Sequence, residues 1–354
     1  MRRLELILRP AFATAQSEQL GHELSLELES DHLLGSGGNG ATRIVGSMWI
    51  KSVALLVAAE LLAACAHPAA AQAHRSPTPA PVVQQQPSPT PTPTPPPAPA
   101  PALTHVFVIV MENRSYAQAI ANRYTAQLAA QYGAAINYHG VAHPSLPNYL
   151  ALTSGSTWGI ADDGFHPLPP GGLGAQLTAA GIDWRAFMEG MTNGCFHSPY
   201  PYALKHNPFA YYGSACPPQV VPFTQFAVAM SGNVPRFVWI TPNMCHDGHD
   251  CSSSAAAAWL AQTVGTITAS SAWQDDGLLL ITWDEGGDPA NSVLTLVIHP
   301  DPLVHQSNRA YDHFSLLATI EDQLGLPRLG RAASASPMTD LLAVRPPGLR
   351  KGLT

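Results

Sequence analysis

Two acidic segments of the chain carry the residue types that bind hard divalent cations. Glu112 and Asn113 follow one apolar run, and Asp284 and Glu285 follow another and precede two glycines. Two adjacent carboxylates at a strand end repel each other unless a cation neutralises them. Carboxylate and amide oxygens are the ligands that such cations prefer. Either segment alone also fits a solvated turn, but together they favour a site for a divalent metal cation, with Mg, Ca, Mn and Zn left open.

Ser145 is the candidate nucleophile. It lies between Pro144 and Pro147, just before an apolar stretch with helical character, where it is expected to act as an N-cap. The N–H groups and dipole of a helix N-terminus favour a phosphate or an alkoxide. A capping serine is commonplace without any catalytic role. The flanking prolines fix the backbone direction, however, and a nearby cation would lower the pKa of the hydroxyl.

Three histidines are candidates for proton transfer or phosphate binding. His246 and His249 lie in a loop bracketed by Cys245 and Cys251, and His313 opens a predicted helix. Each could bind phosphate oxygens or act as the general acid that protonates a leaving alcohol. Zinc ligation by His246, His249 and an acid is one alternative. Ordinary hydrogen bonding within the loops is the other.

The elements that must position these residues alternate between strands and helices. Short apolar runs predict strands, and longer periodic segments predict helices. This order favours an α/β fold with a doubly wound, mostly parallel sheet covered by helices on both faces. The carboxyl ends of such strands meet at one edge, so the polar clusters should converge there. Strands are predicted at 106–111, 236–241, 278–283 and 294–299, and helices at 115–132, 146–152, 253–268 and 312–324.

Composition excludes several classes of protein. The 354 residues include 24 acidic and 17 basic ones, so the formal net charge is −7, which argues against nucleic-acid binding. Hydrophobic residues make up 46% and charged residues 12%, enough apolar surface for a core. Residues 103–354 are long enough to form one catalytic domain.

The N-terminal third is typical of export and tethering. Residues 1–47 are predicted to be a start-site extension or disordered, and 48–65 a signal peptide. Leu62-Ala63-Ala64-Cys65 resembles the bacterial lipobox, which predicts a lipid anchor on Cys65; cleavage after Ala73 and simple secretion is the alternative. Residues 66–102 form a linker, because twelve of the 34 prolines lie between Ser76 and Ala102. The predicted location is the bacterial cell envelope or the exterior.

The catalytic segment contains four cysteines, an even number in a chain predicted to leave the cytoplasm. Loop-closure entropy favours Cys195 with Cys216 and Cys245 with Cys251. A zinc site with cysteine ligands is the alternative, but no C-x-x-C spacing supports it.

Five ordered motifs carry a family resemblance. The chain resembles the phosphoesterase family that joins bacterial acid phosphatases with phospholipases C, within the alkaline phosphatase superfamily. The resemblance covers about His105 to Pro327. The motifs are ENRSY (112–116), HPSLPNYLALTSG (143–155), PNMCHDGHDC (242–251), WDEGG (283–287) and YDHFSLLATIEDQLGLP (311–327).

The resemblance implies an alkaline-phosphatase-like fold and roles for individual residues. Ser145 matches the nucleophile, which also contacts the metal, and His246 or His249 and His313 resemble histidines around the phosphate. The short length favours an acid phosphatase that hydrolyses phosphate monoesters through a phosphoserine. A phospholipase C-like phosphodiesterase and a non-enzymatic surface lipoprotein are the alternatives. The residues that match metal ligands are Glu112, Asn113, Asp284 and Glu285.

Overall fold

The computed structural model of the chain describes residues 104–300 and 306–342. The predicted extension, signal peptide, Cys65 anchor and proline-rich linker all lie outside the described residues. Within the described residues, no helix is long and apolar enough to cross a membrane.

In the part of the chain that the structure describes, ten strands form one large and one small sheet. The longest strands are uninterrupted runs of apolar, often β-branched residues, as expected of strands buried on both faces. The strands are β1 (Val106–Met111), β2 (Gly133–Ala135), β3 (Tyr138–His139), β4 (Trp184–Met188), β5 (Val220–Pro222), β6 (Phe237–Thr241), β7 (Leu278–Trp283), β8 (Thr295–Ile298), β9 (Gln306–Ser307) and β10 (Tyr311–Asp312).

Helices cover the sheet. Nine α-helices and four short 3₁₀ turns are found in the described residues. The helices are α1 (Tyr116–Ile120), α2 (Arg123–Gln131), α3 (Ser145–Ser154), α4 (Gly172–Ala179), α5 (Gly194–His197), α6 (Phe226–Ser231), α7 (Ser253–Ala269), α8 (Ser271–Gln274) and α9 (His313–Leu324), and the 3₁₀ turns are Leu204–His206, Pro208–Ala210, Phe223–Gln225 and Gly330–Ala333.

The eight-stranded sheet has the order β5-β4-β6-β1-β7-β8-β2-β9. Strands β5, β4, β6, β1 and β7 run parallel, whereas β8 is antiparallel to both β7 and β2. Strand β1 lies near the centre with every residue buried. The mostly parallel α/β architecture predicted from the sequence is therefore confirmed.

One segment predicted as a single helix forms two helices in the structure. The segment 115–132 forms α1 and α2, separated at Ala121 and Asn122. The Asn122 side chain accepts a hydrogen bond from the Tyr124 N–H and so caps a new helix. An asparagine side chain that competes with the helix ladder explains the break.

Both predicted disulfides are present. Cys195 pairs with Cys216, and Cys245 pairs with Cys251. All four cysteines of the catalytic segment are therefore bonded, which excludes them as zinc ligands.

Candidate active site

Two carboxylates meet where β1 and β7 end. Met111 lies opposite Trp283 in the parallel register, so the residues that follow them, Glu112 and Asp284, emerge side by side. The Asn113 N–H donates to Asp284 Oδ1 at 3.1 Å. Asn113 has φ of 50°, a left-handed conformation that asparagine tolerates better than most residues. The predicted meeting of the two acidic segments is thus seen in the structure.

Ser145 reaches the same place from α3. It is only 1% exposed, and its hydroxyl donates to Glu112 Oε2 at 3.0 Å. The predicted capping role is wrong, because Pro144 is the N-cap and Ser145 is the first helical residue. The Leu146 N–H at this helix end instead donates to Asp163 Oδ1 at 3.0 Å.

Asn148 fixes the segment that leads into Ser145. Its side-chain oxygen accepts from the N–H groups of Val141 and Ala142, at 2.9 and 3.0 Å. Its amide group donates to the carbonyls of Ala142 and Pro144, at 2.9 and 3.2 Å. Asn148 is fully buried, so these bonds are shielded from water. The irregular segment before the serine is therefore held in one conformation.

The buried carboxylates have strongly perturbed acidity. Burial, followed by the charges of Asp284 and Asp247, raises the pKa of Glu112 well above its ordinary value. Burial and the neighbouring Glu285 raise the pKa of Asp284 to about 8. Burial raises the pKa of Asp247 to about 7. Three acids in one water-excluded region repel one another when ionised. They are therefore stabilised either by protonation or by a bound cation.

His206 is a central residue that the sequence analysis missed. Its ring is 1% exposed, with Nε2 3.2 Å from Glu112 Oε1 and Nδ1 3.2 Å from Asp247 Oδ2. These contacts are at ion-pair distance but lack hydrogen-bond alignment. The ring stacks on Tyr149 at 5.1 Å between centroids. Burial lowers the pKa of His206 well below its ordinary value. No spacing links this residue in the sequence to the acids it contacts.

Lys205 supplies the positive charge that the sequence analysis did not find at the site. Its Nζ lies 2.8 Å from Asp163 Oδ2 and 3.3 Å from His249 Nε2. His249 also binds Asp250 through Nδ1 at 2.7 Å. Asp163 therefore links this ammonium group to the Leu146 N–H beside Ser145. The lysine lies in a 3₁₀ turn rather than at a strand end, so the strand-end argument could not locate it.

His246 faces a different partner. Its Nδ1 lies 2.9 and 3.0 Å from the two carboxylate oxygens of Glu189, which follows β4. The Trp259 indole N–H and the Asn243 backbone N–H also donate to Glu189, each at 3.0 Å. Of the two loop histidines, His249 is the one that contacts Lys205.

His313 contacts the backbone of Asp284. It is fully buried, with Nε2 2.5 Å from the Asp284 carbonyl and Nδ1 3.0 Å from the Tyr138 hydroxyl. Burial lowers the pKa of this imidazole to about 4. A neutral ring with both nitrogens engaged suits the positioning of Asp284 better than proton donation to a leaving group.

Two contacts join the Glu285 loop to the segment before Ser145. Glu285 Oε2 binds His143 Nδ1, and its side chain is 10% exposed. Asn291 accepts from the Gly286 N–H at 2.7 Å and donates to the Ala142 carbonyl at 3.0 Å. The two segments are therefore positioned relative to each other.

Arg114 connects the end of β1 to the loop closed by Cys245 and Cys251. Its guanidinium donates to the Cys251 carbonyl at 3.1 Å and to the Ser253 hydroxyl at 3.3 Å. It ties the end of β1 to the disulfide loop.

The donor set fits a hard cation by its chemistry. Glu112 Oε1 and Asp284 Oδ2 are buried oxygens without a hydrogen-bond partner. Such atoms are costly unless a charged group binds them. In residues 104–300 and 306–342, no group of three or more His, Cys, Asp or Glu side chains is arranged to hold a metal ion. Of the other predicted ligands, Ser145 Oγ contacts Glu112, Asn113 contacts Asp284 through its backbone N–H, and Glu285 Oε2 contacts His143.

Comparison with known proteins identifies the family. Residues 121–327 match the Phosphoesterase family. Phosphatidylinositol-3-phosphatase of Mycobacterium tuberculosis is 32% identical over 247 residues, covering 67% of this chain and 82% of that protein. An acid phosphatase of Aspergillus fumigatus is 29% identical over 267 residues, covering 67% of this chain and 58% of that protein. The chain therefore belongs to the phosphoesterase family, and the predicted class of phosphoric ester hydrolase is supported.

A solved structure shows a weaker likeness. A protein in the alkaline phosphatase superfamily from Vibrio parahaemolyticus is 12% identical, with a TM-score of 0.48, covering 69% of this chain and 71% of that chain. A likeness at this level carries no argument about function.

Proposed function

We propose that the protein is a metal-dependent phosphoric ester hydrolase, an acid phosphatase that cleaves phosphate monoesters through a phosphoserine at Ser145. One observation carries this proposal. The buried Ser145 hydroxyl lies 3.0 Å from Glu112 Oε2, beside a second acid, Asp284. Relatives named acid phosphatase support the preference for monoesters.

The cation would be held by Glu112, Asn113, Ser145, Asp284 and Glu285. When bound, it would supply positive charge for the phosphoryl oxygens and for the serine alkoxide. The unpartnered oxygens of Glu112 and Asp284 support this assignment.

Side chains of the protein carry out the covalent steps. Ser145 Oγ attacks phosphorus as its proton leaves, and Glu112 Oε2 is the acceptor at hydrogen-bond distance. The bond between phosphorus and the ester oxygen breaks, and the leaving alkoxide takes a proton from a general acid. Lys205 Nζ carries protons and contacts His249 Nε2 at 3.3 Å, so we assign that role to the Lys205–His249 pair rather than to His246 or His313. Water then attacks the phosphoserine and gives a proton back to the general acid. The bond between phosphorus and Ser145 Oγ breaks, Glu112 returns its proton to that oxygen, and phosphate is released.

A trapping experiment tests the covalent step. Protein mixed with p-nitrophenyl phosphate and quenched in acid should gain one phosphoryl group, located on Ser145 by peptide mass spectrometry. Ser145→Ala should gain none and should lose at least about three orders of magnitude in kcat, because the nucleophile is gone.

Ser154→Ala is the matched control, since Ser154 is a buried serine at the other end of α3. It should keep the label and the rate. Near-normal turnover of folded Ser145→Ala would rule out the covalent mechanism. Turnover of a choline phosphodiester with none of the monoester would contradict the substrate assignment.

We also propose that the mature protein acts outside the cytoplasm, tethered through a lipid on Cys65. The two disulfides support an oxidising compartment. Mass spectrometry of the mature N-terminus tests the tether. An acylated Cys65 is expected, and a lipid-free product that begins at His74 would show simple secretion.

A further inference from the structure

Two phenylalanines form an exposed aromatic patch. Phe165 is 44% exposed and Phe196 is 37% exposed. Their rings meet edge to face with centroids 5.5 Å apart, and Phe165 also packs on Tyr211 at 5.3 Å. Exposed aromatic rings that contact each other are a feature of binding surfaces, because they offer large apolar area in a fixed geometry.

The patch is linked to the candidate active site through Asp163 and Tyr211. Phe165 lies two residues after Asp163, which accepts from the Leu146 N–H next to Ser145. Tyr211, under the patch, belongs to the same apolar cluster as Leu146. The rings are therefore anchored by polar and apolar contacts to the start of the helix that carries the serine.

Another exposed aromatic ring contacts the loop that carries His249. Tyr200 is 67% exposed and lies beside Asp250, whose carboxylate binds His249. Lys205 contacts both His249 and Asp163. Phe165 thus belongs to the loop of Asp163, and Tyr200 contacts the loop of His249.

We propose that the aromatic patch, Phe165 and Phe196, binds the organic part of the substrate and selects phosphate monoesters of aromatic alcohols. The inference rests on the proposed function and adds the class of leaving group. A phenyl ring beside the patch would gain edge-to-face contacts of the kind that the two phenylalanines already make. The phosphoryl group would meanwhile lie at Ser145.

The surroundings of the patch disfavour a membrane as its occupant. Residues 155–170 and 190–203 contain no Lys or Arg, the residues that anionic lipid surfaces attract. They include Asp162, whose side chain is 63% exposed. Two rings are also far smaller than a stable protein interface, which buries roughly 1,200 Å² or more.

A binding experiment tests the inference without turnover. Phenylphosphonate and methylphosphonate carry the same type of head group and differ in the organic part. Calorimetry on the protein as purified should give a phenylphosphonate Kd on the order of ten-fold lower than that of methylphosphonate. In the double variant Phe165→Ala/Phe196→Ala this preference should disappear while the Kd of methylphosphonate stays unchanged.

Trp158→Ala is the matched control. Trp158 is also 44% exposed but follows the far end of α3, about 15 Å from Ser145 along ten helical residues. This variant should keep the full preference. Thermal melting identifies any double variant that has unfolded, and Phe165→Leu, which retains apolar volume, should then show an intermediate preference.

Rate measurements extend the test. For the double variant, kcat/KM should fall about ten-fold with phenyl phosphate, chiefly through KM, and should not change with glycerol 2-phosphate. Equal Kd values of the two phosphonates for the wild type would overturn the inference. A double variant that keeps the preference but loses binding to phosphatidylcholine vesicles would overturn it as well, in favour of a membrane contact.

The two proposals fail in different ways. A wild type that releases no phosphate and forms no phosphoserine, but still prefers phenylphosphonate, contradicts the proposed function and leaves the aromatic site standing. Normal turnover of both esters by the double variant contradicts only the aromatic site.

Discussion

Two clusters of carboxylate and histidine side chains lie at the same edge of the sheet and differ in how their atoms are bonded. The reaction cluster comprises Glu112, His206, Asp247 and Asp284, and each member has a buried side-chain atom without a hydrogen-bond partner. The support cluster comprises Glu189, Asn243, His246 and Trp259, in which both Glu189 oxygens accept well-formed hydrogen bonds.

The difference distinguishes a cluster suited to a reaction from a cluster that stabilises the fold. A satisfied network stabilises one conformation and leaves nothing to bind a ligand. Unpartnered buried groups destabilise the fold, so their presence in a native structure calls for a ligand or a reaction. The same substitution should therefore have opposite effects in the two clusters.

Glu112→Gln should have the largest effect on rate. We expect kcat to fall about a thousand-fold or more, because the change removes a charge beside Ser145 and a proposed metal ligand. The melting temperature of metal-free protein should stay equal or rise, since one of three crowded buried acids is neutralised. Steady-state kinetics and calorimetry measure the two effects. A variant that melts much lower and retains its rate would reverse the roles of the clusters.

Metal removal should have an effect on the rate comparable to that of Glu112→Gln. Dialysis against EDTA should abolish turnover and lower the melting temperature, because a cation that binds only the folded state stabilises it. Adding a divalent cation back should restore both properties. Asp284→Asn should reduce the difference in melting temperature between metal-loaded and EDTA-treated protein. Asp288→Asn, a control in the same loop, should leave this difference unchanged. Protein with analytically proven metal that melts identically before and after chelation would contradict this site.

Glu189→Gln should affect stability more than rate. The new amide group presents donors to a pocket that already contains the donors of His246, Trp259 and Asn243. We expect a loss of about 1–3 kcal/mol in the free energy of unfolding and less than about a ten-fold fall in kcat. Urea denaturation with parallel assays measures both. A rate loss as large as that of Glu112→Gln would show that His246 takes part in the reaction.

Opening the Cys245–Cys251 disulfide should have the smallest effect. Asp247 and His249 lie between these two cysteines, whose sequence separation is 6, and the Glu112 N–H donates to the Asp247 carbonyl at 3.0 Å. Cys245→Ser/Cys251→Ser should therefore lower kcat a few-fold before any global unfolding. The control is Cys195→Ser/Cys216→Ser, which opens the other bridge. Activity lost only together with the native circular dichroism signal would assign the loop a purely structural role.

The sequence predicts the parts of the site that follow regular strands. Strands β1 and β7 were located correctly by their apolar runs, and parallel pairing then places Glu112 next to Asp284. Both disulfides followed from loop closure. These features depend on local sequence patterns, and the tertiary packing of the chain does not change them.

The remainder depends on tertiary packing. His206 and Lys205 lie in a short 3₁₀ turn with no periodicity, and their partners are distant in the chain. In the His-Asp-Gly-His-Asp loop, only the fold decides that His246 faces Glu189 while His249 faces Lys205. The strands β2, β3, β9 and β10 span only two or three residues each, too few for an alternating pattern.

The position of β1 in the sheet has a consequence for biosynthesis. Its six apolar residues pair with β6 and β7, so about 125 residues separate the end of β1 from the start of its first partner strand. At the usual rate of protein synthesis, on the order of ten seconds pass before that partner leaves the ribosome. During that interval a strongly aggregation-prone hexapeptide has no native neighbour. Chaperone protection of the nascent chain would therefore matter most for this single strand.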